Sequence, residues 1–307
     1  MKKVKLAETQ ERYPSPLRYP GGKAKVSNFL KLLISHNSLS NVEYIEPYAG
    51  GASVALALLF DGYADRIRIN DLNKGVHAFW KLALTDAEKL CDRIQAVKLD
   101  VDEWRQQKET YENPKSSPED LGFATFFLNR TNRSGIITRG GVIGGLNQQG
   151  NWKIDARFNR DALCERVRKI ASYKSRISVT RKDAAKLLRD VDSDSKYTRL
   201  LYLDPPYYVK GARLYDNFYQ HDDHVKICDL IKRLETRWIV SYDAAPEILS
   251  LYNGYPNIRY SLGYSASTVA SGAEVMFFSE NLMIPQVASP AGISRAKANQ
   301  LRLAVEA

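Results

Sequence analysis

The sequence is short of the residues that build metal centres and covalent frameworks. Its 307 residues include three cysteines, Cys91, Cys164 and Cys228, which are far apart, odd in number and form no Cys-x-x-Cys pair. That argues against a paired-cysteine zinc site and against a disulfide scaffold. The four histidines, His36, His77, His221 and His224, show no metal-ligand spacing. No stretch approaches the ~18 consecutive apolar residues of a membrane helix. The N-terminal lysines are not followed by the apolar run of a secretory signal. Internal repeats are absent. The expectation is a reduced, cytoplasmic protein with no metal and no membrane partner. With 44% hydrophobic and 26% charged residues, intrinsic disorder is excluded as well. The length allows one large core, or one core plus an inserted domain, since single cores stop growing near roughly 250–300 residues.

Charge of one sign is in excess. Forty-five Lys and Arg face 35 Asp and Glu, for a net charge of +10. The excess is local. Residues 129–182 hold 13 basic and 3 acidic residues, and the remainder of the chain balances. A basic surplus is compatible with a polyanionic partner, but diffuse basicity is also common in proteins with none, so where the charge sits matters more than its total.

The order of elements is that of a parallel sheet. Val42–Glu46 is a short apolar run stopped by Pro47 and a Gly-Gly pair. A helical run, Ser53–Phe60, follows, with Ser53 as a candidate N-cap, and then an alternating strand, Arg66–Asn70. This is a βαβ pattern. From Lys74 to about Asn132 the spacing is helical. Gly135–Gly150 holds six of the 18 glycines and reads as a long loop. Strand and helix then alternate again, through Ile177–Thr180, Arg199–Leu203 and Arg237–Ser241. Ile258–Leu262 and Val275–Ser279 form an expected antiparallel pair. The expected fold is thus α/β, a Rossmann-like sheet with an inserted, mainly helical domain. The sheet domain spans 1–73 and 175–284, the insertion 74–174, and a loose tail 285–307.

Four segments carry chemistry. Asp204-Pro205-Pro206-Tyr207 directly follows a strand. Prolines cannot continue a central strand, so the chain leaves the sheet in a stiff turn at the strand's carboxyl end, where open α/β sheets bind ligands. Alone, this motif also reads as a tight turn. Glu46-Pro47-Tyr48-Ala49-Gly50-Gly51-Ala52 is a glycine turn between strand and helix, which admits a ligand close to the backbone. Asp71 ends the next strand, where an acid can bind ribose hydroxyls or cap a helix. Arg18-Tyr19-Pro20-Gly21-Gly22-Lys23 precedes the first helix, as a carboxylate site or a surface turn.

In this order, these segments resemble the Dam-type DNA adenine methylases, the α-class amino-methyltransferases that act on N6 of adenine. The resemblance runs over roughly residues 17–284. It includes Asn129-Arg130-Thr131 with Gly135, Trp152-Lys153-Ile154 and the stretch from Tyr208 to His224. It implies a site-specific enzyme using S-adenosylmethionine on double-stranded DNA, of the kind found in restriction-modification, and monomeric in solution. Tyr19, Lys23, Gly50, Asp71 and Asp204 would line the cofactor site, with Lys23 on the methionine carboxylate and Asp71 on the adenosine. The chain departs from the family at Ala52, where Gly is common, which leaves the path of that turn open. Asp204 and the Pro205 carbonyl would accept the two N6 hydrogens, Pro206 would stiffen the turn and Tyr207 would stack on the base. Arg130, Arg133 and Arg139 would contact DNA, with Lys153 and Arg157 beside them and Gln148, Gln149 and Asn151 able to read adenine.

Other readings remain. Cytosine N4 is a second exocyclic amine, although relatives acting on it more often have Ser at the Asp204 position. A silent DNA-binding module would not need the intact motif. A dinucleotide-dependent oxidoreductase would explain only the glycine turn.

Overall fold

The computed structural model describes residues 14–18, 23–192, 195–209, 219–262 and 272–306. In chain order these form α1 (Ser27–His36), β1 (Val42–Glu46), α2 (Ser53–Phe60), β2 (Arg66–Asn70), α3 (Lys74–Thr85), α4 (Ala87–Ala96), α5 (Val101–Glu112), α6 (Pro118–Thr131) and α7 (Arg160–Ser172). There follow β3 (Ile177–Thr180), α8 (Ala184–Arg189), β4 (Thr198–Leu203), α9 (His221–Ile231), β5 (Arg237–Asp243), α10 (Pro246–Leu251), β6 (Asn257–Leu262), β7 (Gly272–Phe278) and α11 (Arg295–Glu306). The chain divides into a sheet unit, 23–70 with 182–307, and a helical unit, 1–22 with 71–181.

In the sheet unit six strands lie in the order β2-β1-β4-β5-β7-β6. The first four are parallel, with Tyr44 of β1 opposite Ile67 on one side and Leu200 on the other. β7 runs antiparallel to both of its neighbours, with Val240 opposite Phe277 and Arg259 opposite Val275. The near-continuous apolar strands follow from burial on both faces. Leu201, Leu203, Trp238 and Val240 pack with Leu187 and Leu188 of α8 and Ile227 and Ile231 of α9. On α1, Phe29 meets Phe278 edge-on at 6.1 Å. The chain winds from β1 outward to β2 and, separately, from β4 outward to β5. The strand order therefore reverses between β1 and β4, and their carboxyl ends share one edge, the usual place of a ligand crevice.

In the helical unit, α3 crosses α6 closely because Gly75 and Gly122 face the crossing. A Cβ on Gly122 would stand 2.8 Å from the Ala78 carbonyl oxygen, and one on Gly75 would stand 2.3 Å from Thr125 Oγ1. Phe79 and Phe126 stack at 5.7 Å. Cys91 and Cys164 are buried where α4 meets α7.

Three expectations are corrected. Ser53 does not cap α2. Ala52 occupies the cap position, and it is the Glu46 carboxylate that accepts from a first-turn amide, Ala55 N, at 3.1 Å. The segment after Pro285 is no loose tail. It carries α11, packed against α1, with Ala298 fully buried, its carbonyl accepting from Tyr63 Oη and Arg295 pairing with Asp61 at 3.0 Å. Its alanines signal helix propensity, not looseness. Residues 14–18 group with the helical unit, not with the sheet, because buried Asn129 holds Arg18 at both its N–H (2.7 Å) and its carbonyl (2.6 Å).

Candidate active site

β4 ends at Leu203, and the two buried prolines after Asp204 carry the chain away from the sheet. Asp204 thus sits at the shared edge with 28% of its side chain open. Its Oδ1 accepts from Ser241 Oγ on neighbouring β5 at 2.9 Å and faces Lys23 Nζ at 3.3 Å. Ser241 Oγ is in turn paired with Tyr202 Oη at 3.0 Å. Both interactions fall on Oδ1, and among the described residues none falls on Oδ2. Burial raises the Asp204 pKa above the usual aspartate value. Lys23 and Ser241 oppose that rise, and the nearby anion Glu274 adds to it.

Sequence reasoning missed Glu274. It lies on β7 at 2% exposure, and its Oε2 accepts from Lys23 Nζ at 2.7 Å. Its Oε1 accepts from Tyr207 Oη at 2.9 Å. The Lys23 ammonium also lies 5.2 Å from the centre of the Tyr207 ring. Burial alone would lower the lysine's pKa, but Asp204 holds it well above the usual value, so it stays charged. Lys23, expected on a cofactor carboxylate, is held by two carboxylates of its own chain. Tyr207, expected to stack on a base, is buried and fixed at its hydroxyl. The one signal for Glu274 in the sequence is a carboxylate in the middle of an apolar strand, GAEVMFF.

The glycine turn joins β1 to α2 at the same edge. Gly50 has φ 46°, and Ala52 has φ 46° and ψ 30°, so this alanine holds the left-handed conformation that glycine adopts freely. Asn70, 1% exposed, ties the turn down. Its Nδ2 donates to the Pro47 carbonyl at 2.9 Å, and Ala49 N donates to its backbone carbonyl at 2.9 Å. Burial pushes the Glu46 carboxyl up from the usual 4.5 to about 8.

The backbone after the motif is clamped from β5. Asp243 accepts from Tyr208 N at 2.9 Å and from Val209 N at 3.0 Å. His224 is buried among Tyr208, Tyr219 and Tyr242, with its Nδ1 3.0 Å from Tyr242 Oη. It packs among these rings. Tyr19 lies outside the described residues. Asp71 belongs to the helical unit, where its Oδ1 accepts from Asn73 N at 2.9 Å. The cap of α3 is Asn73, which accepts from Gly75 N and Val76 N.

The basic residues of the helical unit divide into two groups. Arg130 is half-buried. Its Nε donates to the Arg157 carbonyl at 2.7 Å, Nη2 reaches the same oxygen and Nη1 reaches the Pro16 carbonyl. Burial and the neighbouring Arg18, Arg166 and Arg157 depress its pKa. Arg130 therefore braces the fold through these carbonyls. Arg133 and Arg139 are exposed on the glycine-rich loop, as is Trp152 at 69%. The guanidinium of Arg157 lies 5.8 Å from the Trp152 ring centre. Gln148, considered as a base reader, has its amide used up inside the loop. Nε2 donates to the Ile143 and Gly145 carbonyls, and Oε1 accepts from Ile154 N. Gln149 and Asn151 are exposed.

Comparison with known proteins points to one chemistry. The sequence pattern of the family described as D12 class N6 adenine-specific DNA methyltransferase matches residues 19–263. The Type II methyltransferase M.MjaIII of Methanocaldococcus jannaschii is 22% identical over 242 residues, which cover 72% of this chain and 80% of that protein.

Proposed function

The chain belongs to the family of D12 class N6 adenine-specific DNA methyltransferases, and we propose that it transfers a methyl group from S-adenosylmethionine to N6 of adenine in duplex DNA, by base flipping and direct displacement. The observation that carries this reading is the Asp204 carboxylate. One oxygen is held by Ser241 and Lys23, and the other is without a partner among the described residues, in a partly open site at the sheet edge.

The exocyclic amine of adenine is a poor nucleophile because its lone pair is delocalised into the ring. Asp204 Oδ2 and the Pro205 carbonyl accept its two hydrogens and draw the lone pair out of the ring plane. These acceptors are fixed before the substrate arrives, so no reorganisation is needed as positive charge develops on the nitrogen. Flipping the base costs a few kcal/mol, which pocket interactions offset.

The residues present fit the cofactor. Asp204 and Glu274 share Lys23 at this edge, a carboxylate-lined surrounding that suits a cationic sulfonium. The turn at Gly50 approaches this edge with little side-chain bulk. Asp71 and Tyr19 are retained as cofactor-binding residues on the family pattern alone. S-adenosylmethionine, when bound, would supply an electrophilic methyl group: the N6–CH3 bond forms as the methyl–sulfur bond breaks, the neutral thioether leaves, and N6 gives up one of its hydrogen-bonded protons. Lys23 is assigned to Asp204 and Glu274 in place of the methionine carboxylate.

The test is to incubate the protein with labelled S-adenosylmethionine and unmethylated duplex DNA and to identify the nucleoside that gains label. N6-methyladenine is expected, and Asp204→Ala is expected to abolish it with the fold retained. Label in N4-methylcytosine, or near-normal turnover in Asp204→Ala, would reject the reading.

A further inference from the structure

We infer that Glu274 is a positioning residue for methyl transfer: it draws the Lys23 ammonium partly off Asp204 and holds Tyr207 by its hydroxyl, so that the motif carboxylate stays a strong acceptor. The inference rests on the function proposed above and adds a residue to its machinery.

The geometry carries it. Glu274 divides its two oxygens, one on Lys23 at 2.7 Å and one on Tyr207 Oη at 2.9 Å. Lys23 Nζ stands farther from Asp204, at 3.3 Å. Without Glu274, a buried ammonium would close on Asp204 as its one carboxylate partner among these groups. That pair would neutralise the acceptor that has to face the substrate amine. With Glu274 in place, the Lys23 ammonium is shared between two carboxylates, and it sits closer to Glu274 than to Asp204.

Stability alone does not call for this carboxylate. Its strand neighbours Ala273, Val275, Met276 and Phe277 are apolar, and burying an ion pair is often no better than burying apolar groups of the same volume. The acid is placed where it touches the last residue of the motif and the cation that serves the first. The hydroxyl hydrogen bond fixes the Tyr207 ring within its plane, while Asp243 fixes the backbone just beyond it.

The experiment compares wild type, Glu274→Gln and Glu274→Asp. Single-turnover methylation is measured at saturating S-adenosylmethionine and duplex DNA. Dissociation constants for both are measured by calorimetry, and folding by thermal melting. Glu274→Gln is expected to slow the methyl-transfer step by about 100-fold, the usual scale for losing one preorganised group, with both dissociation constants within about threefold and Glu274→Asp recovering part of the rate. A Glu274→Gln rate within about threefold of wild type overturns the inference. So does a rate loss matched by weaker cofactor binding or by a loss of folded protein. If Glu274→Gln fails to fold, Tyr207→Phe deletes only the hydroxyl, which donates to Glu274 and accepts from Lys23. A slower transfer step with unchanged binding then supports the inference, and an unchanged rate overturns it. Failure of the wild type to label DNA would instead reject the function itself.

Discussion

At Ala52 a side chain occupies a backbone conformation that favours glycine. The left-handed geometry costs an L-residue roughly 1–2 kcal/mol, while the buried methyl returns about 0.8 kcal/mol. Ala52→Gly is therefore expected to be neutral or to stabilise by up to about 1 kcal/mol, whereas the same change inside a helix costs about that much. Denaturant titration checks this, and a loss above about 1 kcal/mol would mean the turn is unstrained. Glu46 gives a pH-dependent counterpart. Its pKa rises from 4.5 to about 8 on folding, so the folded chain keeps a proton that the unfolded chain releases. Its contribution to stability is full below the unfolded value and is lost as pH rises towards the folded value. Glu46→Gln keeps an oxygen for Ala55 N and removes the titration. Its melting temperature relative to wild type should climb between about pH 5 and about pH 8, and a constant difference would sink the assignment. Among single residues, Asp204 was legible because prolines after a strand force an exit at its carboxyl end. Glu274 and Ser241 were not, because they reach Asp204 across strands far away in sequence.

Among the elements, the helix crossing of α3 and α6 rests on a missing side chain. Gly122→Ala gains about 1 kcal/mol of helix propensity, but its new methyl meets the Ala78 carbonyl at 2.8 Å. Backbone cannot yield as a flexible side chain does, so overpacking wins, with an expected net loss of about 1–3 kcal/mol. Thermal melting is the check, and a stabilised variant would refute the close crossing. The strands and most helices were legible from period and punctuation. The error at α11 has a physical origin. A stretch of small residues reads as a tail when no partner is in view, and packing against α1 is what gives it an apolar face to bury.

Over the whole molecule, the charge surplus is real, but part of it is engaged by partners within the chain. Arg130 and Arg160 bind backbone carbonyls, Arg166 reaches the Ser15 carbonyl and Arg168 pairs with Glu88 at 2.7 Å. Arg133 and Arg139 are exposed on the loop. Replacing both with alanine is expected to weaken DNA binding and to flatten the salt dependence, the slope of log K against log salt falling by about 0.9 for each phosphate no longer neutralised. Cofactor affinity should stay unchanged. Arg130→Met should instead lower the melting temperature, since it leaves the Arg157 carbonyl without its donor. An unmoved salt slope in the double variant would remove the loop from the DNA footprint.

The sequence by itself determined the order of strands and helices, the Asp-Pro-Pro-Tyr turn at a strand end and the segment that holds the surplus charge. These are local properties, set by backbone stereochemistry and side-chain period. Tertiary structure decided which groups meet. It brought Lys23, Asp204, Ser241 and Glu274, drawn from four parts of the chain, to one buried centre, and it turned Arg130 and Gln148 inward. The reason is that burial makes partners obligatory for charged and polar groups, and strand order, not sequence distance, settles which partners are within reach.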